Sequence, residues 1–217
     1  MGSLTGANLV IVTFFDTETT GLWNFRADAG HICQPHIVQL AMLTLDMDQP
    51  EESRLLHAIN VIVKPEKQIE PQAAEIHGIT QEKAERVGIS RRLAVSMFHH
   101  MLKYTDLVVA HNTDFDTRVM RSSYIQEGIQ FPDFRTYCTM KSTTDICKIP
   151  HANPNRGRND SYKWPKLIEA YKILVDEEGF DGAHDAMVDV IACSKLFSVL
   201  HEKGLVPDYS FVEKAVA

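Results

Sequence analysis

The longest apolar run in the chain covers residues 9–15 and is interrupted only by Thr13. A short apolar run of this kind fits a buried strand, read here as residues 9–16. Residues 36–45 (HIVQLAMLTL) and 58–64 (AINVIVK) are rich in Val, Ile and Leu and predict two more strands. Pro65 and Pro71 then end the sheet region. Farther on, the pattern shifts toward helix: a short one over 80–86 and a longer one over 90–103, with Leu93, Val95, Met97, Phe98, Met101 and Leu102 as its candidate buried side. A short buried strand is read at 107–110, followed by a helix over 114–126 that stops before Gly128. Two further helices cover 166–174 and 185–201. In the last, Ala186, Val190, Cys193, Phe197 and Leu200 recur at spacings of three to four, an amphipathic stripe.

Three adjacent strands followed by helices and short strands suggest a meander, so the sheet should be mixed rather than purely parallel. Residues 23–35 and 150–162 read as loops. The second (HANPNRGRNDSY and its lead-in) is the one locally basic, Gly/Pro/Asn-rich piece. No internal repeat is visible. A length of 217 residues favours one domain, 1–217.

Composition adds exclusions. With 44% hydrophobic and 24% charged residues the chain is ordinary for a soluble protein. No apolar run approaches the ~20 residues of a membrane helix, and the N-terminus lacks the pattern of a signal peptide. Its start resembles a myristoylation site but has Gly6 where Ser or Thr is wanted. Cys33, Cys138, Cys147 and Cys193 form no CxxC pair and no disulfide framework. The expectation is a soluble, cytoplasmic protein without a membrane partner. Net charge is −7, which weighs mildly against a nucleic-acid partner. That weight lessens where acidic residues hold divalent cations, because the ions invert the local field.

Three acidic clusters carry the candidate chemistry. Asp16 and Glu18 end the first strand, and residues i and i+2 of a strand share a face. Two carboxylates side by side repel, which raises one pKa. A hard divalent cation such as Mg²⁺ or Mn²⁺ removes the conflict; a solvated acidic turn is the alternative. The second cluster is His111-Asn112-Thr113-Asp114-Phe115-Asp116, at a strand-to-helix junction. Asp114 and Asp116 do not share a helix face, so at most one enters a site. Capping by Asn112, Thr113 or Asp114 is the structural alternative, and it leaves His111 and Phe115 unexplained. In the third cluster, Asp189 lies on the apolar side of the last helix. A carboxylate buried there is costly unless it is paired or metal-bound. His184, at the helix start, can reach the same place; a capped helix with Asp185 and Asp189 as ordinary surface acids is the alternative.

Together these clusters resemble the DEDD exonucleases, in the subgroup with a histidine in the third motif that includes epsilon-like proofreading subunits. The resemblance rests on Phe15-Asp16-Thr17-Glu18-Thr19-Thr20-Gly21-Leu22, on His111-Asn112 with Phe115-Asp116, and on His184, Ala186 and Asp189 in an HxAxxD pattern. The segment Glu75-Ile76-His77-Gly78-Ile79-Thr80 adds a fourth match. It implies an α/β, ribonuclease H-like fold with a mixed central sheet flanked by helices, and it selects Asp116 over Asp114. It further implies a 3′–5′ exonuclease with two Mg²⁺ or Mn²⁺ ions held by Asp16, Glu18, Asp116 and Asp189, Asp16 bridging them. His184 would be the general base, a task that suits an imidazole near neutral pH.

The same resemblance points to Thr19, Leu22, His77, Asn112 and Phe115 around the terminal nucleotide, with Leu22 and Phe115 sandwiching its base; core packing is the alternative for both. Arg156, Arg158 and Lys163 are candidates for phosphate contacts or for a solvated loop. The expected partner is nucleic acid with a free 3′ end, DNA favoured over RNA, with a DNA polymerase as a candidate partner and the oligomeric state open. An RNA 3′-trimming enzyme and a non-catalytic adapter are the competing functions. The short stretch after Asp189 suggests a stand-alone protein or one that docks through its folded surface. His31, Cys33 and His36 form a weak zinc candidate with no fourth ligand at a recognised spacing.

Overall fold

The computed structural model describes residues 10–151 and 162–206. Its sheet has five strands in the order β3-β2-β1-β4-β5. Strand β1 (Ile11–Thr19) is central and pairs antiparallel with β2 (Ile37–Asp46), which pairs antiparallel with β3 (Leu55–Ile62). On its other side β1 runs parallel to β4 (Leu107–Ala110), and β4 to β5 (Thr136–Cys138). The expected meander and mixed sheet are both present, and the arrangement is the ribonuclease H-like one.

Helices cover both faces. On one face Phe15, Leu40, Met42, Val108 and Ala110 pack against α3 (Arg91–Leu102) and α4 (Thr113–Gln126) through Val95, Phe98, Val119, Met120 and Tyr124. On the other, Val12, Phe14, Ala41, Val109 and Tyr137 meet α6 (Leu167–Leu174) and α7 (Ala186–Glu202). The stripe Ala186, Val190, Cys193, Phe197 and Leu200 is buried there. The strand alternation thus sends Val12 and Phe14 to the α7 side and Phe15 to the α3/α4 side.

Some expectations change. Strand β3 runs Leu55–Ile62 rather than over 58–64, because its exposed first residues pair with β2, Leu55 opposite Leu45 and His57 opposite Thr44. The segment from Pro71 does more than end the sheet region: it is a helix, α1 (Pro71–His77). Proline fits the first helical turn, where its missing N–H is not needed, and Gly78 at φ 70 closes the helix. Helix α2 (Gln81–Val87) starts at Thr80, whose hydroxyl accepts from Lys83 N at 3.1 Å. Strand β5 and the Thr-rich α5 (Thr139–Cys147) carried no periodic signal. In α5, Thr143 and Thr144 hydroxyls donate back to the Thr139 and Met140 carbonyls. Leu93 is 45% exposed, not core.

Most of the 150–162 loop, with Arg156 and Arg158, lies outside the described residues. All four cysteines are free. Among the described residues no helix is long and apolar enough to cross a membrane.

Candidate active site

The C-terminal half of β1 turns from apolar to acidic without changing face. Asp16 and Glu18 follow Val12 and Phe14 in the same alternation, so they sit on the α7 side of the sheet. Asp16 lies opposite Ala41, and Glu18 opposite Gln39, on β2. Burial pushes the Asp16 carboxyl well above the ordinary range, and the charges of Asp116, Glu18 and Asp189 add to it. Glu18 is pushed up to about 8, first by burial and then by Asp189 and Asp116.

The start of α4 supplies the third acid. Asn112 adopts a left-handed conformation (φ 75) and makes no side-chain cap, so the capping alternative does not account for it. The Thr113 hydroxyl is near the Ala110 and Tyr137 carbonyls, at 3.1 and 3.0 Å, and ties the junction to β4 and β5. Asp114 points to solvent and pairs with Lys141 at 2.7 Å. Asp116 is 2% exposed. Its Oδ1 accepts from the Thr17 amide at 3.0 Å and the Thr17 hydroxyl at 2.7 Å. Burial raises its pKa to about 7 against the opposing pull of those two bonds.

The turn before α7 supplies the fourth acid and the histidine. His184 has φ 71, a left-handed conformation uncommon for a non-glycine residue, and its ring is exposed. Its backbone N–H donates to Asp189 Oδ2 at 3.1 Å. The other Asp189 oxygen is buried and has no hydrogen-bond partner. Burial raises the Asp189 pKa. Ligand atoms of Glu18, His184 and Asp189 lie within 4.8 Å of one another. Among the described residues, no lysine or arginine forms an ion pair with any of these four acids. Buried, mutually repelling oxygens, one of them unpartnered, are a donor set that fits a hard divalent cation.

Gln39 was not singled out from the sequence, although one amide inside the apolar run HIVQLAML was the available signal. It is buried, and its Nε2 donates to Asn60 Oδ1 at 2.9 Å and reaches Asp185 Oδ1 at 3.4 Å. Its Oε1 accepts from the Ala186 amide at 3.3 Å. Gln39 therefore holds the first residues of α7 to the strand opposite Glu18. Gln39→Leu leaves Asp185 and the Ala186 N–H without this partner. The expected result is a loss of ~10–100-fold in kcat, the usual scale for residues that orient metal-site ligands. Steady-state kinetics on this variant checks this.

The remaining predicted residues divide. His77 Nε2 donates to the Thr19 carbonyl at 3.2 Å, and its Nδ1 accepts from Ile79 N at 3.1 Å. Thr19 is buried, its hydroxyl turned to the Gly21 carbonyl at 2.8 Å. Leu22 is 87% exposed, so core packing does not explain it, while Phe115 is half-buried against the core. His111 serves the framework: Nε2 donates to the Pro165 carbonyl at 2.9 Å and Nδ1 meets the Thr139 hydroxyl at 3.0 Å. Lys163 pairs with Glu169 at 2.6 Å rather than standing free for a phosphate. His31, Cys33 and His36 do not converge as a metal site. His36 is buried beside Arg91, whereas His31 and Cys33 are exposed.

Comparison with known proteins follows the same lines. An uncharacterized exonuclease of Escherichia phage 186 is 28% identical over 157 residues, covering 72% of this chain and 71% of that protein. The DNA polymerase III epsilon subunit of Buchnera aphidicola is 20% identical over 189 residues, covering 87% of this chain and 73% of the subunit. E. coli Exonuclease I, solved in complex with a dA16 oligonucleotide, superposes with a TM-score of 0.67 at 19% identity. The superposition covers 93% of this chain but only 42% of Exonuclease I. The RNase_T family model, described as Exonuclease, matches residues 13–197. That match takes in all four acids and His184, and the chain belongs to this exonuclease family.

Proposed function

We propose that the chain is a 3′–5′ exonuclease that releases 5′-mononucleotides from a single-stranded DNA end. Asp16, Glu18, Asp116 and Asp189 would hold two Mg²⁺ or Mn²⁺ ions, with His184 as general base. The observation that supports this most is the meeting of four acids from β1, α4 and α7 without a cationic partner among the described residues, one of their oxygens buried and unsatisfied. Ions held by these acids would supply stabilisation of charge on both the attacking and the leaving oxygen of an in-line displacement.

The side chains do the rest. Thr17 holds Asp116 in place by two hydrogen bonds. The His184 backbone is anchored to Asp189, which leaves its exposed ring free to take a proton from the attacking water. The new P–O bond forms as the bond to the 3′ oxygen of the preceding nucleotide breaks, and that oxygen takes a proton from solvent water and stays on the shortened strand as its 3′ hydroxyl. Thr19, Leu22, His77, Asn112 and Phe115 would receive the terminal nucleotide. DNA is preferred as substrate because the relatives are a DNA polymerase subunit and an enzyme solved with a DNA oligonucleotide.

His184→Ala tests the proton-transfer role. The expected result is a fall in kcat of ~10²–10⁴, the usual contribution of a general base, with KM for an oligonucleotide little changed. A fall of less than tenfold would remove His184 from this role. Parallel DNA and RNA oligonucleotides of matching sequence test the substrate, with faster turnover of DNA expected.

A further inference from the structure

The loop that joins β1 to β2 leaves the sheet directly after Thr19, and three large apolar side chains on it face solvent. Leu22, Phe25 and Ile32 are 87%, 76% and 81% exposed. They are held out by a rigid frame. Gln34 is 0% exposed. Its Nε2 donates to the carbonyls of Asn24, Ala27 and Asp28 at 2.9, 3.0 and 3.1 Å, and its Oε1 accepts from Asn24 N at 3.1 Å. Trp23 is part of the core on the α3/α4 side, and Ala29 packs against that core. Gly30 lies so close to α4 that a Cβ there would stand 2.9 Å from the Ile125 methyl. A pre-shaped loop presents its apolar groups to a ligand without the cost of ordering them on binding.

Phe25 leans on α4, with the Arg118 guanidinium carbon 5.7 Å from its ring centroid. The cation backs the ring while most of the side chain stays open to solvent. Arg118 follows Phe115 by three residues, so the two share one side of α4, about a turn apart. Asp116, two residues before Arg118, points elsewhere. Phe115 and the Phe25–Arg118 pair are therefore successive steps along one side of the helix. Lys67 also joins the loop, through Nζ to the Gln34 carbonyl at 2.8 Å. In a chain of net charge −7, a cation backing an exposed aromatic suits a phosphate-linked base rather than a neutral protein surface. Aromatic rings with arginine are a sequence-tolerant platform for single-stranded nucleic acid.

We propose that Phe25, backed by Arg118, stacks on the base next to the terminal one and so sets the enzyme's preference for a strand over a free nucleotide. This rests on the reading of the neighbouring acids as the site of cleavage at a single-stranded end.

The test measures binding without turnover, by fluorescence anisotropy competition in Ca²⁺, for a 5′-mononucleotide, a dinucleotide and a longer single strand. Wild type should gain affinity from mononucleotide to dinucleotide. Phe25→Ala should lose about tenfold of that gain, Phe25→Trp should keep it, and melting temperatures should agree because the side chain is exposed. The same length-dependent gain in Phe25→Ala would overturn the platform while leaving the proposed cleavage site standing. So would a Phe25→Ala protein that binds strands normally but no longer self-associates, since the patch would then be an interface between copies of the chain. A wild type that binds no strand of any length would overturn both readings.

Discussion

Asp16→Asn should lower DNA hydrolysis by on the order of 10³-fold or more and at the same time stabilise the metal-free protein. Both effects come from the same position. The Asp16 carboxyl is pushed well above its ordinary range, because burial and the charges of Asp116, Glu18 and Asp189 all act against its ionised form. In the proposed mechanism that charge is what the divalent ions bind, and loss of several kcal/mol of transition-state stabilisation corresponds to at least ~10³ in rate. Without metal the same charge is only a repulsive neighbour, so its removal should raise the melting temperature in EDTA. Asp114→Asn is the control. Asp114 is exposed and paired with Lys141, and its loss should change the rate less than about threefold, since exposed pairs contribute ~0–1 kcal/mol. Equal losses at Asp114 and Asp16 would contradict the assignment.

The metal-free protein should also lose stability as pH rises from about 6.5 to 8.5, and added Mg²⁺ or Mn²⁺ should restore it most at the upper end. The sign follows from proton binding. Asp116 and Glu18 titrate in the folded chain at about 7 and about 8, above their ordinary values of 3.8 and 4.5. Between the ordinary and the folded values, the folded state holds protons that the unfolded state has released. Raising the pH through the folded values removes that advantage. Buried histidines act the other way at lower pH. His36, pushed down to about 4 by burial and by Arg91, favours the folded state increasingly as pH rises toward 6.5. The carboxylate effect is therefore cleanest above that range. Thermal melts in EDTA should fall by a few degrees or more across this window, since ~1 kcal/mol moves the midpoint of a chain this size by ~2–4 °C. Glu18→Gln should flatten the slope. A flat profile in wild type would mean that the acids are not forced together as described.

Strand periodicity made the central part of this architecture legible. The apolar run before Asp16 and the alternation through Glu18 locate both acids on one face, and the stripe on α7 places Asp189 among apolar neighbours. The family resemblance then singled out Asp116, and the geometry shows why the two aspartates differ: one reaches Thr17, the other Lys141. What the sequence hid depends on tertiary partners. A proline that starts a helix reads like a proline that ends a strand until the following turn is seen, hence α1. Threonine-rich α5 has weak intrinsic preference for helix and is secured by its own back-bonded hydroxyls and by packing. Leu22 and Leu93 are apolar by type yet exposed, because burial belongs to the fold rather than to the residue. Gln39 and Gln34 are single amides whose partners lie on other segments, so spacing along the chain does not reveal them.

The most direct test follows the ends of a single-stranded DNA oligonucleotide. One strand is labelled at the 3′ end and another at the 5′ end, each incubated with Mg²⁺, with EDTA and Asp16→Asn as controls. The account predicts that the 3′ label leaves at once as a mononucleotide, that the 5′-labelled strand shortens as a ladder, and that EDTA and the variant stop both. Release of the 5′ label as mononucleotide, internal cuts, or equal cleavage by Asp16→Asn would contradict it.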